Sequence, residues 1–289
     1  GPPTWCEPEN PGRETLDPEM IRCFGEVIAR CKPGLVHFHT FQGLTLALAA
    51  EAKRHGLVTI YTPHNYHLID PALYLSGTDF SVWNGTDFFQ NSEWAARRPD
   101  QREAYARRVE AARAMLNELL DLTLAGSSRA RDLFEDFCGW HGRIAVVHQV
   151  YASSEVVPGE VGRRSSRTGS LRVGFLGPIV PHEGLHILAA ALQRVSEGGV
   201  EAHVFGVADP AYKAQVTAID RQRVIRWRGS FEPENLRGIA DEIDVIVIPS
   251  LWETAAGSEI VAALSVGRPV VAARIGGMTD FVVEGFNGR

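Results

Sequence analysis

Two strand-to-helix turns carry the residue types that bind anions and hydroxyl-rich ligands. In the first, Gly177-Pro178-Ile179-Val180-Pro181-His182-Glu183-Gly184, glycines bracket a turn that lets backbone N–H groups approach a phosphate; the plain alternative is a tight turn. The second, Pro249-Ser250-Leu251-Trp252-Glu253-Thr254-Ala255-Ala256-Gly257-Ser258-Glu259, joins an apolar run to an Ala-rich helix. Small residues at 254–258 strip side chains from the approach to the helix start, as close backbone contact with a diphosphate requires. Glu253 and Glu259 stand where a carboxylate accepts hydrogen bonds from hydroxyl groups, or where it caps the helix.

These turns need strands that end where helices begin, and the chain supplies them. From Leu171 the pattern reads strand 171–176, helix 185–195, strand 201–206, helix 211–222, strand 224–229, helix 234–242, strand 244–248, helix 258–265 and strand 269–273. Strands this apolar on both faces, alternating with helices, call for a parallel sheet covered on each side, a Rossmann-like domain. Its ligand crevice is expected at the carboxyl ends of the strands. Earlier, a helical pattern from Pro18 leads to a strand at 35–39, an Ala/Leu-rich helix from Gly43 to Arg54, a strand at 57–62, a helix at 100–120 and strands at 122–126 and 144–147. The division expected is a first domain at 1–156, a Gly/Ser/Arg-rich linker at 157–170 and a second domain at 171–289. The segment Ala72–Arg98, with Trp83, Phe88, Phe89 and Trp94, reads as a long loop that either shapes a pocket or packs as satellite core.

Composition narrows the partners. The chain has 289 residues, 45% hydrophobic and 22% charged, with a net charge of −6, and lysine occurs only at Lys32, Lys53 and Lys213. That excludes a broad basic footprint for nucleic acid or anionic membrane. No apolar run approaches the ~20 residues of a membrane span, no signal peptide is evident, and the location expected is cytoplasmic. Four dispersed cysteines without a CxxC pair fit reduced thiols and give neither a disulfide framework nor a metal site. Arg163, Arg164 and Arg167 read as a solvated linker, with a grip on a phosphate or lipid headgroup as the lesser alternative.

Taken as a set, the first turn, "Asp244-Val-Ile-Val-Ile-Pro-Ser-Leu-Trp-Glu253", "Gly267-Arg-Pro-Val-Val-Ala-Ala-Arg-Ile-Gly-Gly277" and "Glu284-Gly-Phe-Asn-Gly288" resemble the donor-binding domain of retaining GT-B glycosyltransferases of family 4. The strand ends "Val36-His37-Phe38-His39-Thr40-Phe41-Gln42-Gly43" and "Thr62-Pro63-His64-Asn65-Tyr66-His67" look like that family's acceptor domain. The resemblance implies α/β GT-B architecture, two Rossmann-like domains facing an interdomain cleft. It also implies a first strand before Gly1 and a closing helix after Arg289 that this sequence does not contain. The activity implied is transfer of a sugar from a nucleoside diphosphate sugar to a small-molecule acceptor, with retention and without metal or other cofactor. His64 would line the active site near the sugar, and Glu253 would hold its hydroxyls. Gly177, His182, Thr254, Ala255, Ala256, Gly257, Ser258 and Glu259 would face the donor, and Thr40, Gln42, Gly43, Asn65 and Tyr66 the acceptor.

The match has departures. Where the family carries Gly-Arg and Lys-Gly to hold the diphosphate, this chain has Gly177-Pro178 and Glu183-Gly184. The second glutamate of the family's pair falls at Val261 or Ala262, with Glu259 about one helical turn away. Each lost charge-assisted phosphate contact is worth roughly 1.5 to 3 kcal/mol. The cations available to replace them are His182, Arg226, Arg228 and Arg274. An alternative therefore stands beside the transferase: a GT-B-like binding or activating partner that has lost donor chemistry.

Overall fold

The computed structural model describes residues 11–70, 73, 75, 99–139, 143–148, 169–195, 199–232 and 235–289. The aromatic segment 76–98 and most of the expected linker lie outside them. The chain divides into two units, Gly1–His148 with Glu253–Ala256, and Gln149–Trp252 with Gly257–Arg289.

The first unit holds the parallel sheet β1 (Leu35–Phe38), β2 (Val58–Tyr61), β3 (Leu122–Ala125) and β4 (Ile144–Val146), in that spatial order. Among the described residues its helices are α1 (Pro11–Thr15), α2 (Pro18–Cys31), α3 (Ala47–Arg54), α4 (Arg102–Ala114) and α5 (Ser128–Cys138). Local chemistry sets their ends. Asp17 caps α2 by accepting from Glu19 N and Met20 N, with Pro18 at the first helical position. Ser127 caps α5 by accepting from Ala130 N, and Gly139 closes it in the left-handed conformation. The Ala/Leu-rich helix starts at Ala47 rather than Gly43. Gly43 has φ +74, Leu44 N closes a turn onto Phe41 O, and the buried Thr45 hydroxyl accepts from Asp17 N. The helix read at 100–120 is α4 extended by a π turn, Met115–Leu119.

The second unit is a five-stranded parallel sheet. Its strands are β5 (Leu171–Leu176), β6 (Val200–Phe205), β7 (Ile225–Gly229), β8 (Val245–Ile248) and β9 (Val270–Ala272), in the order β7-β6-β5-β8-β9. Helices α6 (Leu185–Leu192) and α7 (Pro210–Ile219) cover one face, where Leu185, Leu188, Ala189, Tyr212 and Val216 pack with Val173, Phe175 and Val204. Helices α8 (Leu236–Glu242) and α9 (Ser258–Ser265) cover the other, where Ile239, Ile260 and Ala263 pack with Ile246, Ile248 and Val270. Burying each such aliphatic side chain contributes about 1.5 to 3 kcal/mol, so apolar strands between two helical layers hold this sheet together. Successive strands are added outward through β6 and β7, after which the chain returns to place β8 on the opposite side of β5. That reversal opens a crevice at the carboxyl ends of β5 and β8, the switch point where doubly wound sheets take ligands.

Candidate active site

The two turns singled out in the sequence are those that follow β5 and β8, and within the second unit they are bonded to each other. Leu251 N donates to His182 O at 2.8 Å. The Glu183 carboxylate accepts from the Ser250 hydroxyl at 2.6 Å and from Trp252 Nε1 at 3.1 Å. Gly184 has φ +74, and a Cβ there would overlap the Pro249 carbonyl oxygen and stand 2.8 Å from its carbon. Only glycine permits this approach.

The Glu183 acid is thus built into the protein. Both Glu183 oxygens hold the β8 turn, and burial, with Glu259 adding repulsion, raises its pKa against the pull of the Ser250 and Trp252 bonds. His182, beside the Trp252 ring, is pushed down to about 4 by burial. At neutral pH it is an uncharged imidazole and offers a diphosphate no positive charge. Nor do the β7 arginines. Arg228 is tied to Glu242 at 2.6 Å, and Arg226 lies 3.8 Å from Glu201. Arg274 lines a cavity of about 300 Å³ past the end of β9, with Met278, Thr279 and Glu284.

The two helix N-termini at the switch point differ. At α6, the Tyr212 hydroxyl accepts from His186 N at 3.0 Å, so that terminus is partly satisfied by the protein itself. At α9, Gly257 takes φ +65, and no side chain caps the helix among the described residues. The Ser258 and Glu259 amides, which precede the first intrahelical bonds from Ile260 N and Val261 N to Gly257 O, and the partial positive charge of the helix are therefore available to an anion. Ser258 donates to Glu259 at 3.2 Å, which places that carboxylate on the first turn. Gly177 has φ +142 at the end of β5, and its N–H donates to Phe205 O.

The first unit brings together a second group. At the ends of β1 and β2, His39 Nδ1 lies 3.0 Å from His64 Nε2, and their rings stack 5.3 Å apart. The His37 ring is 4.2 Å from that of His39, and His37 Nε2 is 2.8 Å from Thr62 Oγ1. His64 is held below the ordinary imidazole range by partial desolvation at this largely exposed position and then by His39 and His37. Of the acceptor-side candidates, Thr40 Oγ1 accepts from Gln42 N and Asn65 Oδ1 accepts from His67 N, so both shape turns beside the histidines, while Gly43 supplies the left-handed turn before α3. Tyr66 is wholly buried against Phe134.

Glu253 is 5% exposed and is gripped by Arg129 at the start of α5. Arg129 Nη2 donates to Oε1 at 2.7 Å, and Nε lies 3.1 and 3.2 Å from the two oxygens. The bonds from Glu253 raise the Arg129 pKa. The neighbouring segment is seated just as closely. Ser127 donates to Ala255 O at 2.7 Å, and a Cβ on Gly126 would come within 2.9 Å of the Ala256 Cβ. Among the described residues the buried hydroxyls of Tyr66 and Thr254 find no hydrogen-bond partner, and burial followed by the Glu253 charge pushes the Tyr66 pKa up. Sequence reasoning missed Arg129, which lies far from Glu253 in the chain. It also passed over His37 and His39, although the period-2 alternation of Val36-His37-Phe38-His39 puts both on one face of β1. Among the described residues, no three His, Cys, Asp or Glu side chains converge as a metal-ligand set, and no helix is long and apolar enough to cross a membrane.

Residues 170–289 match the family model described as glycosyl transferases group 1. Curated relatives are distant. A D-inositol 3-phosphate glycosyltransferase of Corynebacterium urealyticum is 25% identical over 278 residues, spanning 86% of this chain and 62% of its own length. An uncharacterized 42.6 kDa protein from the cps region of Klebsiella pneumoniae is 22% identical, over 91% of this chain and 63% of its own. The chain therefore spans less than two thirds of either relative. Among solved structures, Anabaena HepE in complex with UDP superposes with a TM-score of 0.65 at 18% identity, covering 92% of this chain and 67% of that one. The catalytic domain of starch synthase IV from Arabidopsis thaliana, bound to ADP and acarbose, gives 0.59 at 16%, covering 94% and 64%. The fold is that of GT-B glycosyltransferases.

Proposed function

We propose that this chain is the greater part of a glycosyltransferase that uses a nucleoside diphosphate sugar. The observation that carries the reading is the uncapped N-terminus of α9 at the β5/β8 switch point, preceded by the small residues Thr254–Gly257, inside the segment that matches the glycosyl transferases group 1 model. The charge on a departing diphosphate grows in the transition state, and a fixed array of backbone N–H groups stabilises it without reorganising. In this reading Ser258 and Glu259 supply those amides, Gly177 and Gly184 keep the opposite turn low, and neutral His182 supplies a polar edge. Glu253, oriented by Arg129, holds hydroxyls of the sugar. His64 contacts the sugar or orients the acceptor, with Thr40, Gln42 and Asn65 beside it. Retention, a small-molecule acceptor, independence from metal and membership of family 4 belong to the same proposal and rest on the motif set.

A second reading is favoured by one feature. Glu183 stands where a cation would hold the diphosphate and is bonded to Ser250 and Trp252. On that basis the chain would bind a partner rather than a donor. Calorimetric titration with UDP, ADP and GDP separates the two. Binding of one of them, with sugar transfer confirmed by product analysis, supports the enzyme. No binding at millimolar nucleotide overturns it in favour of the partner.

A further inference from the structure

The three histidines at the ends of β1 and β2 form an ordered array. Nδ1 of His39 and Nε2 of His64 are 3.0 Å apart, a separation at which two lone pairs would repel, so one of the two nitrogens carries a proton aimed at the other. His39 is itself held. Its ring stands against that of His37, which comes from the same face of β1 and whose Nε2 meets the Thr62 hydroxyl at the end of β2. An imidazole with one nitrogen occupied has its tautomer and ring angle set by that bond.

We propose that His39 is a positioning residue for His64. With its Nδ1–H donating to Nε2, it holds the proton of the neutral His64 ring on Nδ1 and sets the angle at which the ring stands, orienting the imidazole as a carboxylate does in many active sites but from the donor side. The dyad replaces that carboxylate with a second imidazole, anchored through His37 and Thr62. The consequence for turnover rests on the functional reading above, whereas the consequence for the His64 ring does not.

Two substitutions of His39 test this. Phe keeps a ring to stack on His37 and His64 but removes the nitrogen; Asn puts an amide group close to the place of Nδ1. In two-bond proton–nitrogen spectra of the imidazoles, with the His64 signals assigned from His64→Gln, His64 of the unsubstituted chain is expected as one tautomer. His39→Phe should turn it into an averaged mixture, and His39→Asn should restore a single form. In the transfer assay, His39→Phe should lower kcat about tenfold with donor KM within about twofold, and His39→Asn should recover most of the loss. An unchanged His64 tautomer in His39→Phe would overturn the proposal. A chain that shows the tautomer response but transfers no sugar would leave the positioning role in place and remove the transferase reading.

Discussion

Gly184→Ala probes how closely the two turns of the second unit must approach. An alanine at φ +74 pays the left-handed penalty of about 1 to 2 kcal/mol, partly offset by about 0.4 to 1 kcal/mol from the loss of freedom in the unfolded chain. The greater cost is steric. The new methyl would occupy the position of the Pro249 carbonyl oxygen, and backbone cannot yield as a side-chain tip does, so the β5 and β8 turns must separate. Separation would disrupt the bonds from Leu251 N to His182 O and from Ser250 and Trp252 to Glu183. Adding about 1 to 3 kcal/mol for forced displacement gives a total near 3 kcal/mol. Gly229→Ala is the matched control. It has φ +82 with open space around the added Cβ, so only the conformational part applies, about 1 kcal/mol or less. Equilibrium urea unfolding of both variants, with hydrogen exchange at the β5 and β8 amides, measures the difference. Equal losses in the two variants would refute the steric argument.

Replacing Arg129 with Met takes the guanidinium partner away from the buried Glu253 carboxylate. With the Arg129 side chain 39% exposed and that of Glu253 6%, the loss should fall between the values for exposed and buried pairs, about 2 kcal/mol. Adding Glu253→Gln should recover more than half of it, and a double-mutant cycle showing no coupling would contradict the pairing. His182 takes up a proton near 6.5 when unfolded but only near 4 when folded, so the unfolded chain binds more protons in between and stability falls as pH drops through that window, by up to about 3 kcal/mol. His182→Phe should flatten this slope in melting curves between pH 4 and 6.5; Glu183, with its raised pKa, contributes the opposite slope. His64→Ala should lower sugar transfer about 100-fold or more while moving Tm little, because the side chain is exposed; an equal collapse of Tm would assign His64 to the core.

Much of the second unit was legible in the sequence. β8 and β9 are short apolar runs and α6 and α9 are Ala/Leu-rich segments that each follow a glycine, so pattern alone separated them, and α9 begins and ends where the pattern puts it. Boundaries slipped where a local bond overrode propensity, as at Gly43, where a left-handed turn and the Thr45–Asp17 contact delay α3 by a turn. The two candidate turns were visible because glycine and small residues mark close backbone approach.

The amino-acid order by itself determined which segments become strands and helices and where backbone can come near an anion, because those properties depend on neighbours a few positions away. It also displayed an acid, Glu183, beside the glycine that ends the first of these turns. Only the tertiary structure decided what the charged and titratable side chains do. It spent Glu183 on Ser250 and Trp252, neutralised His182 by burial, paired Arg129 with Glu253 and stacked His39 on His64. Ionisation and hydrogen-bond partners are set by whatever lies within a few ångströms in space, and for these residues those neighbours come from strand ends and turns that sequence separation hides.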